Sequence, residues 1–181
     1  MEMPKMKNFR KWIVFLSLML GILGCGQKST SSFKPNSEPD GFAGIRWNTP
    51  RSEVKSDMAE SSSISDPAEP NVKIKIYYTQ QGDPLELGEA KLDRVEYVFW
   101  RGKFAEARIS ATGPENFDRL KKFLFEKYGT VNKSQGAYFW NGSITQIFLK
   151  QDDPVKPFLL TIASTSIASQ EVKDIFDKDK D

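Results

Sequence analysis

Trp12 to Leu23 (WIVFLSLMLGIL) is an uninterrupted run of 12 residues, apolar but for Ser17 and Gly21. A helix that crosses a bilayer needs about 20 such residues, so this run has the length of an export-signal core. Met1 to Lys11 precede it with four basic side chains (Lys5, Lys7, Arg10, Lys11) against one acid, Glu2. From Gln27 onward the chain turns polar. The run therefore separates a processing segment from a remainder that suits one domain.

Charge follows the same division. Taking the four basic residues and one acid before Cys25 from 26 Lys+Arg and 24 Asp+Glu leaves 22 and 23, a net charge of about −1. A near-neutral remainder carries no electrostatic footprint for nucleic acid, so none is expected as a partner. The chain also has no histidine and only one cysteine, Cys25. Serine and cysteine nucleophiles that rely on histidine are thereby excluded, as are an intramolecular disulfide and a thiolate zinc site. A domain of about 140 residues buries enough core to stand without disulfides. No catalytic, cofactor-binding or metal-binding residue is expected, and the chain reads as a non-enzyme.

The apolar run ends in Ile22-Leu23-Gly24-Cys25. This resembles the lipobox of bacterial lipoprotein precursors: an aliphatic residue three before the cysteine, a small one directly before it, then the cysteine. The resemblance covers about the first 26 residues. It implies a signal peptide over residues 1–24, cleavage between Gly24 and Cys25, and diacylglycerol on the Cys25 sulfur. It also implies acylation of the new amino group, with the membrane as partner through the lipid. One acyl chain binds a bilayer marginally, and two hold stably, at about 0.8 kcal/mol per buried CH₂. Residue 26 is Gly rather than Asp, which in Gram-negative lipoproteins implies the outer membrane, facing the periplasm.

Gly26 to Asp40 (GQKSTSSFKPNSEPD) has Phe33 as its only large apolar side chain and reads as a flexible tether. Order is expected from Gly41. Phe42 to Trp47 alternates as a short strand. Thr49-Pro50 then opens a helix to about Met58, with Thr49 as N-cap and Pro50 at the first helical position. Glu60 to Asn71 has loop composition. Val72 to Gln80 is a strand with Ile74, Ile76 and Tyr78 on one face and Lys73, Lys75 and Tyr77 on the other. A short strand fits near Leu85 to Leu87. Leu92 to Trp100 and Lys103 to Ala111 form a hairpin about Gly102.

Pro114 to Tyr128 is the best helix, with Phe117, Leu120, Phe123, Leu124 and Tyr128 in one stripe and Gly129 as its stop. Ala137 to Trp140 turns through Asn141-Gly142, a strong hairpin signal, into Ser143 to Lys150. Phe158 to Ser164 is a further strand, and Ile167 to Phe176 a final helix. The order predicts an α+β domain over residues 41–181, a largely antiparallel sheet with helices on one face. Its two halves loosely repeat a helix-then-strands unit.

Trp47, Trp100, Trp140, Phe99, Phe104, Tyr138 and Phe139 form an aromatic set that chiefly covers the sheet and fills the gap beneath the helices. Trp100 and Phe104, flanking one hairpin turn, are the pair expected on a partner surface. Asp152 with Asp153, and Glu86 with Glu89, are the carboxylate pairs from which acid-base chemistry would be drawn, although adjacent Asp residues before Pro154 read as a solvated turn. Ser61-Ser62-Ser63 has no base near it in sequence. No phosphate loop, metal-ligand spacing or nucleophile elbow is present.

Gly41 to Pro50 (GFAGIRWNTP), Leu120 to Gly129 (LKKFLFEKYG) and Tyr138 to Gly142 (YFWNG) are similar to segments of small exported bacterial lipoproteins with no assigned activity. The likeness spans about Gly41 to Ser164 and implies a fold rather than a reaction. A more distant analogy is to envelope lipoproteins of the SmpA/BamE type, which scaffold envelope assembly; here a strand precedes the first helix. The resulting expectation is a membrane-anchored envelope lipoprotein that binds or scaffolds an envelope protein or glycan. The alternatives are an inhibitor-like or ligand-binding domain, and a carboxylate-based envelope hydrolase.

Overall fold

The structure is a computed structural model that describes residues 31–54 and 57–178. The signal run, Gly24 and Cys25 lie outside the described residues. Strands β1 (Gly41–Phe42) and β2 (Ile45–Arg46) form a small hairpin, as do β5 (Glu86–Leu87) and β6 (Ala90–Lys91). The remaining strands are β3 (Met58–Ser65), β4 (Lys73–Gln80), β7 (Arg94–Trp100), β8 (Lys103–Ala111), β9 (Lys133–Ser134), β10 (Ala137–Asn141), β11 (Thr145–Lys150) and β12 (Phe158–Ser164). They build one eight-stranded sheet in the order β3-β4-β7-β8-β12-β11-β10-β9, antiparallel throughout. Helices α1 (Pro114–Tyr128) and α2 (Thr165–Lys178) complete an α+β domain.

Period-two alternation sets which side of the sheet is dry. Val95, Tyr97 and Phe99 of β7, Ile147 and Leu149 of β11, and Phe158, Leu160 and Ile162 of β12 all enter one core. Phe117, Leu120, Leu124 and Tyr128 of α1 close it from above. Pro114 stands at the start of α1, where its missing N–H costs nothing. Gly129 stops the helix at φ 100°, its N–H donating to the Phe125 carbonyl at 2.9 Å. The Gly129 carbonyl in turn accepts the indole N–H of fully buried Trp140 at 2.7 Å, so that polar atom is not stranded in the core.

The helices do not share a face. Phe99 belongs to the main core, while its neighbour Trp100 packs with Ala105 and with Ile167 of α2. Adjacent strand residues point to opposite sides, so α1 and α2 sit on opposite sides of the sheet. A bulge contributes. Val98 pairs Glu106 and Phe99 pairs Phe104, leaving Ala105 without a partner. The extra residue lets Phe104 and Ala107, three apart, both enter the main core.

Other expectations also change. The helix expected from Thr49 to Met58 is a single 3₁₀ turn, Arg51–Glu53. The segment before it is laced to the β7–β8 hairpin: the Asn48 N–H donates to the Phe104 carbonyl, the Phe104 N–H to Thr49, and the Arg51 N–H to Gly102. Those bonds outcompete the helix that the cap residues favour locally. The first half of the Glu60–Asn71 loop, to Ser65, is part of strand β3, exposed along much of its length and bulged. Its ladder to β4 comes from backbone groups, which composition does not report, and a polar, irregular edge resists further pairing. With one main sheet and, among the described residues, no α-helix before Pro114, the two halves do not repeat a helix-plus-strands unit.

The tether reading fails from residue 31 onward. Phe33 is 8% exposed and meets Tyr128 edge-on, with ring centroids 5.8 Å apart. The Ser32 N–H donates to the Asn141 carbonyl at 3.0 Å and the Lys34 N–H to the Tyr128 carbonyl at 2.8 Å. Glu38 Oε1 accepts the backbone N–H groups of Ile144 and Thr145 at 2.6 and 2.9 Å. Residues 31–40 thus form a strap across the end of α1 and the β10–β11 turn. Gly142 serves that contact: a Cβ there would lie 2.0 Å from Glu38 Oε1 and 2.9 Å from the Phe33 ring. The Gly142 N–H donates to the Thr145 carbonyl at 3.0 Å, so the tip of the turn is Ser143-Ile144 and not Asn141-Gly142.

Candidate functional site: the open face of the sheet

Pairing register assigns each side chain a side. On the face opposite α1, Phe139, Phe148, Thr161, Arg108 and Glu96 line up in one row across β10, β11, β12, β8 and β7. Lys150, Leu159, Ser110 and Arg94 form a second row beside it. Every residue of the first row is half-buried, in contrast to the fully buried Ile147, Leu149, Leu160 and Ile109 that alternate with them. Helix α2 reaches this side at Trp100, Ala105 and Lys75, none of which belongs to the two rows. The result is a flat surface with Phe139 and Phe148 directly opposite one another at one end and charged groups at the other.

The charged end is a buried network. Lys75 Nζ lies 2.8 Å from Glu171 of α2 and 3.4 Å from Glu106. Arg108 pairs with Glu106 through Nε, and its guanidinium sits 5.0 Å over the Tyr77 ring. Burial opposes the charge on Glu106, but Lys75 and Arg108 outweigh it and hold the carboxyl below its ordinary range. Burial likewise opposes the Lys75 ammonium, and Glu106 and Glu171 outweigh it, raising its pKa. Both groups therefore stay ionised at neutral pH. Each is matched by its partners, so the network fixes the position of α2 rather than moving protons. Arg101 and Asp174, 2.6 Å apart, tie the far part of α2 to the β7–β8 turn.

The residues singled out from sequence are dispersed. Trp100 and Phe104 are not a surface pair: they are 7% and 0% exposed and lie on opposite sides of the sheet. The bulge at Ala105 and the arrival of α2 cover them, and neither is visible in the hairpin sequence. Trp47 stacks on Phe104 at 5.0 Å and donates its indole N–H to Thr145 Oγ1 at 2.7 Å. Trp47, Trp140 and Phe99 are core, Tyr138 packs against it half-buried, and Phe139 stands on the open face.

Asp152 pairs with Lys150 at 2.8 Å and Asp153 accepts the Val155 N–H at 3.0 Å, as residues of a solvated turn do. Glu86 and Glu89 are exposed at the β5–β6 hairpin. Ser61 bonds the Tyr77 carbonyl and Glu96. Among the described residues, Asp83 is the carboxyl raised above its ordinary value, through burial; it accepts the Tyr97 hydroxyl at 3.1 Å.

Among the described residues no group of three His, Cys, Asp or Glu side chains gathers to hold a metal ion. A shallow depression of about 610 Å³, lined in part by Arg46, Glu53 and Gln80, opens broadly to solvent beside the 3₁₀ turn. Phe148, Glu106 and Arg108 were missed as site residues. Their signal was present, since Phe148 alternates with inward Ile147 and Leu149. Glu106 and Arg108 are opposite charges two apart on a strand, hence on one face. No family model matches the chain, and neither a curated protein nor a solved structure does.

Proposed function

We propose that this chain is the precursor of a bacterial envelope lipoprotein, anchored by lipid on Cys25, whose domain binds or scaffolds another envelope component through its open sheet face. The observation that carries the binding role is the row headed by Phe139 and Phe148, half-buried aromatics that the register sets opposite one another on the face away from α1. Paired aromatics with charged residues alongside suit a protein surface or a glycan, which offers an apolar ring face and hydroxyls together. The anchor is supported by the positive segment, the short apolar run and the Ile22-Leu23-Gly24-Cys25 motif. No helix of the described residues is long and apolar enough to cross a membrane. In a Gram-negative host, Gly26 after the cysteine favours the outer membrane. A non-catalytic role accords with the network at the charged end, where Glu106 and Lys75 are committed to ion pairs.

Two measurements test the proposal. Cys25→Ser should leave an unprocessed precursor, and normal cleavage with a free thiol on Cys25 would end the anchor reading. Photo-crosslinking from position 148 in intact envelopes should capture a partner that is absent when the crosslinker stands at exposed Val72. Equal yields from both positions would end the binding role of the open face.

A further inference from the structure

Cys25 and the first strapped residue are close in the chain. From Cys25 to Ser31 there are 31 − 25 = 6 residue steps, which reach at most about 20 Å when fully extended. A domain of this size is roughly 40 Å across. A tether ending at Gly41 would have left the domain free to turn; a chain docked from residue 31 does not. Phe33 lies between Tyr128 at the end of α1 and Gly142 in the β10–β11 turn, so the anchored end of the domain is that end.

The surface around it has the chemistry of a headgroup contact. Lys34 is exposed and gives one N–H to the Glu126 carbonyl at 2.5 Å, leaving its other donors free for solvent or ligand. Lys127 is exposed with its ammonium 5.4 Å from the Tyr128 ring. Lys122 stands one turn back, 4.0 Å from Glu126, the nearby acid. Glu38 is half-buried, and its carboxylate is engaged by the Ile144 and Thr145 N–H groups and the Ser143 hydroxyl. At the tip of the turn Ile144 is 47% exposed, a large apolar side chain half open to solvent.

We propose that this strapped end docks on the anionic headgroup surface of the bilayer holding the Cys25 lipid, with Lys34 and Lys127 on the headgroups and Ile144 at the interface. The proposal rests on the anchor reading above. Lysines close to an anionic surface each strengthen association by about fivefold, and an exposed branched apolar residue adds burial at the interface. The docked end fixes the orientation of the rest. The 151–157 loop lies at the opposite end of β11, whose 6 residues span roughly 20 Å. The open sheet face then stands along the bilayer normal, free to meet a partner.

The test uses the mature lipidated protein, purified from membranes and reconstituted in vesicles of phosphatidylcholine with or without phosphatidylglycerol. Because the sulfur of the single cysteine carries lipid, Ser143→Cys or Val155→Cys supplies a unique site for a fluorescent label. A headgroup-attached quencher should reach the label at 143 and not at 155, and only in the anionic vesicles. Lys127→Glu should lower the ratio of docked to undocked domain about fivefold or more. Ile144→Ser should lower it while leaving thermal unfolding unchanged. Lipidated protein with equal quenching at both positions, or with quenching at 143 indifferent to phosphatidylglycerol, overturns docking and leaves the anchor intact. An intact mass without lipid overturns both.

Discussion

Phe33→Ala is the perturbation that most directly separates a strap from a tether. Phe33 is the strap's one large apolar anchor, and truncating a buried Phe removes about 3–5 kcal/mol where the surroundings stay in place. Here they need not stay. Ordering each strap residue costs about 1–2 kcal/mol of backbone entropy, while each hydrogen bond to Asn141, Tyr128, Ile144 and Thr145 returns about 1 kcal/mol net. Without the ring the remaining bonds do not outweigh the entropy, and residues 31–40 should come away together. The measured loss is then capped at the docking free energy of the strap, below the roughly 3–5 kcal/mol of a Phe truncation in fixed surroundings, and reads as about 2–4 °C of melting temperature for each kcal/mol.

Amide exchange at Lys34, Ile144 and Thr145 should rise with the loss, while exchange in β8 and β12 stays slow. Deleting residues 31–40 should shift the melt by no more than about 0.5 kcal/mol beyond Phe33→Ala, since both reach the same undocked state. An unchanged melt with unchanged exchange at those amides would refute the reasoning. A deletion far more harmful than the point change would show that the strap holds through its backbone and not through Phe33.

Gly142→Ala should reproduce much of the Phe33→Ala exchange pattern, because the added Cβ meets Glu38 Oε1 and the Phe33 ring together. Leu120, 0% exposed in the centre of α1, should lose about 2–5 kcal/mol on change to Ala, whereas Lys121→Ala should change stability by under roughly 0.5 kcal/mol. Paired denaturant melts check this, and equal small effects would place the stripe outside the core. Glu106 is held below its ordinary 4.5, so the stability it contributes is present above that pH and falls away as pH drops through its folded value. Lys75 is held above its ordinary 10.5, so its contribution is present below that pH and is lost as pH rises through its folded value. Melting temperature against pH should therefore fall on both sides of a broad plateau, and Glu106→Gln should flatten the acid limb; an unchanged limb would show that the network does not report on folding.

Much of the fold was legible because it depends on local repetition. Alternation marked β4, β7, β8, β11 and β12, and the 117/120/124/128 stripe with Gly129 marked α1 within a residue of its observed ends. Such elements keep their local preference because the buried face and the propensity agree. The failures were all places where a distant segment decided. Arg51 donates to Gly102 and Asn48 to Phe104 across the fold, and a helix with good cap residues became one turn. Strand β3, with four serines and one acid among its eight residues, exists because β4 offers it a backbone ladder.

The candidate site divides in the same way. That Phe148 points away from Ile147 and Leu149 follows from the chain alone, and so does the shared face of Glu106 and Arg108. Which of the two faces stays open does not follow, because it depends on α2 landing at Trp100 and Ala105 and on α1 taking the other side. The amino-acid sequence by itself determined an α+β chain with a segment of export-signal length, an antiparallel sheet and one strongly amphipathic helix. Only tertiary structure decided that Phe33 is core, that Trp100 and Phe104 are hidden from each other by the sheet, and that residues 31–40, a largely polar segment, form a strap. The physical reason is that burial belongs to a pair of surfaces, and a sequence shows only one of them at a time.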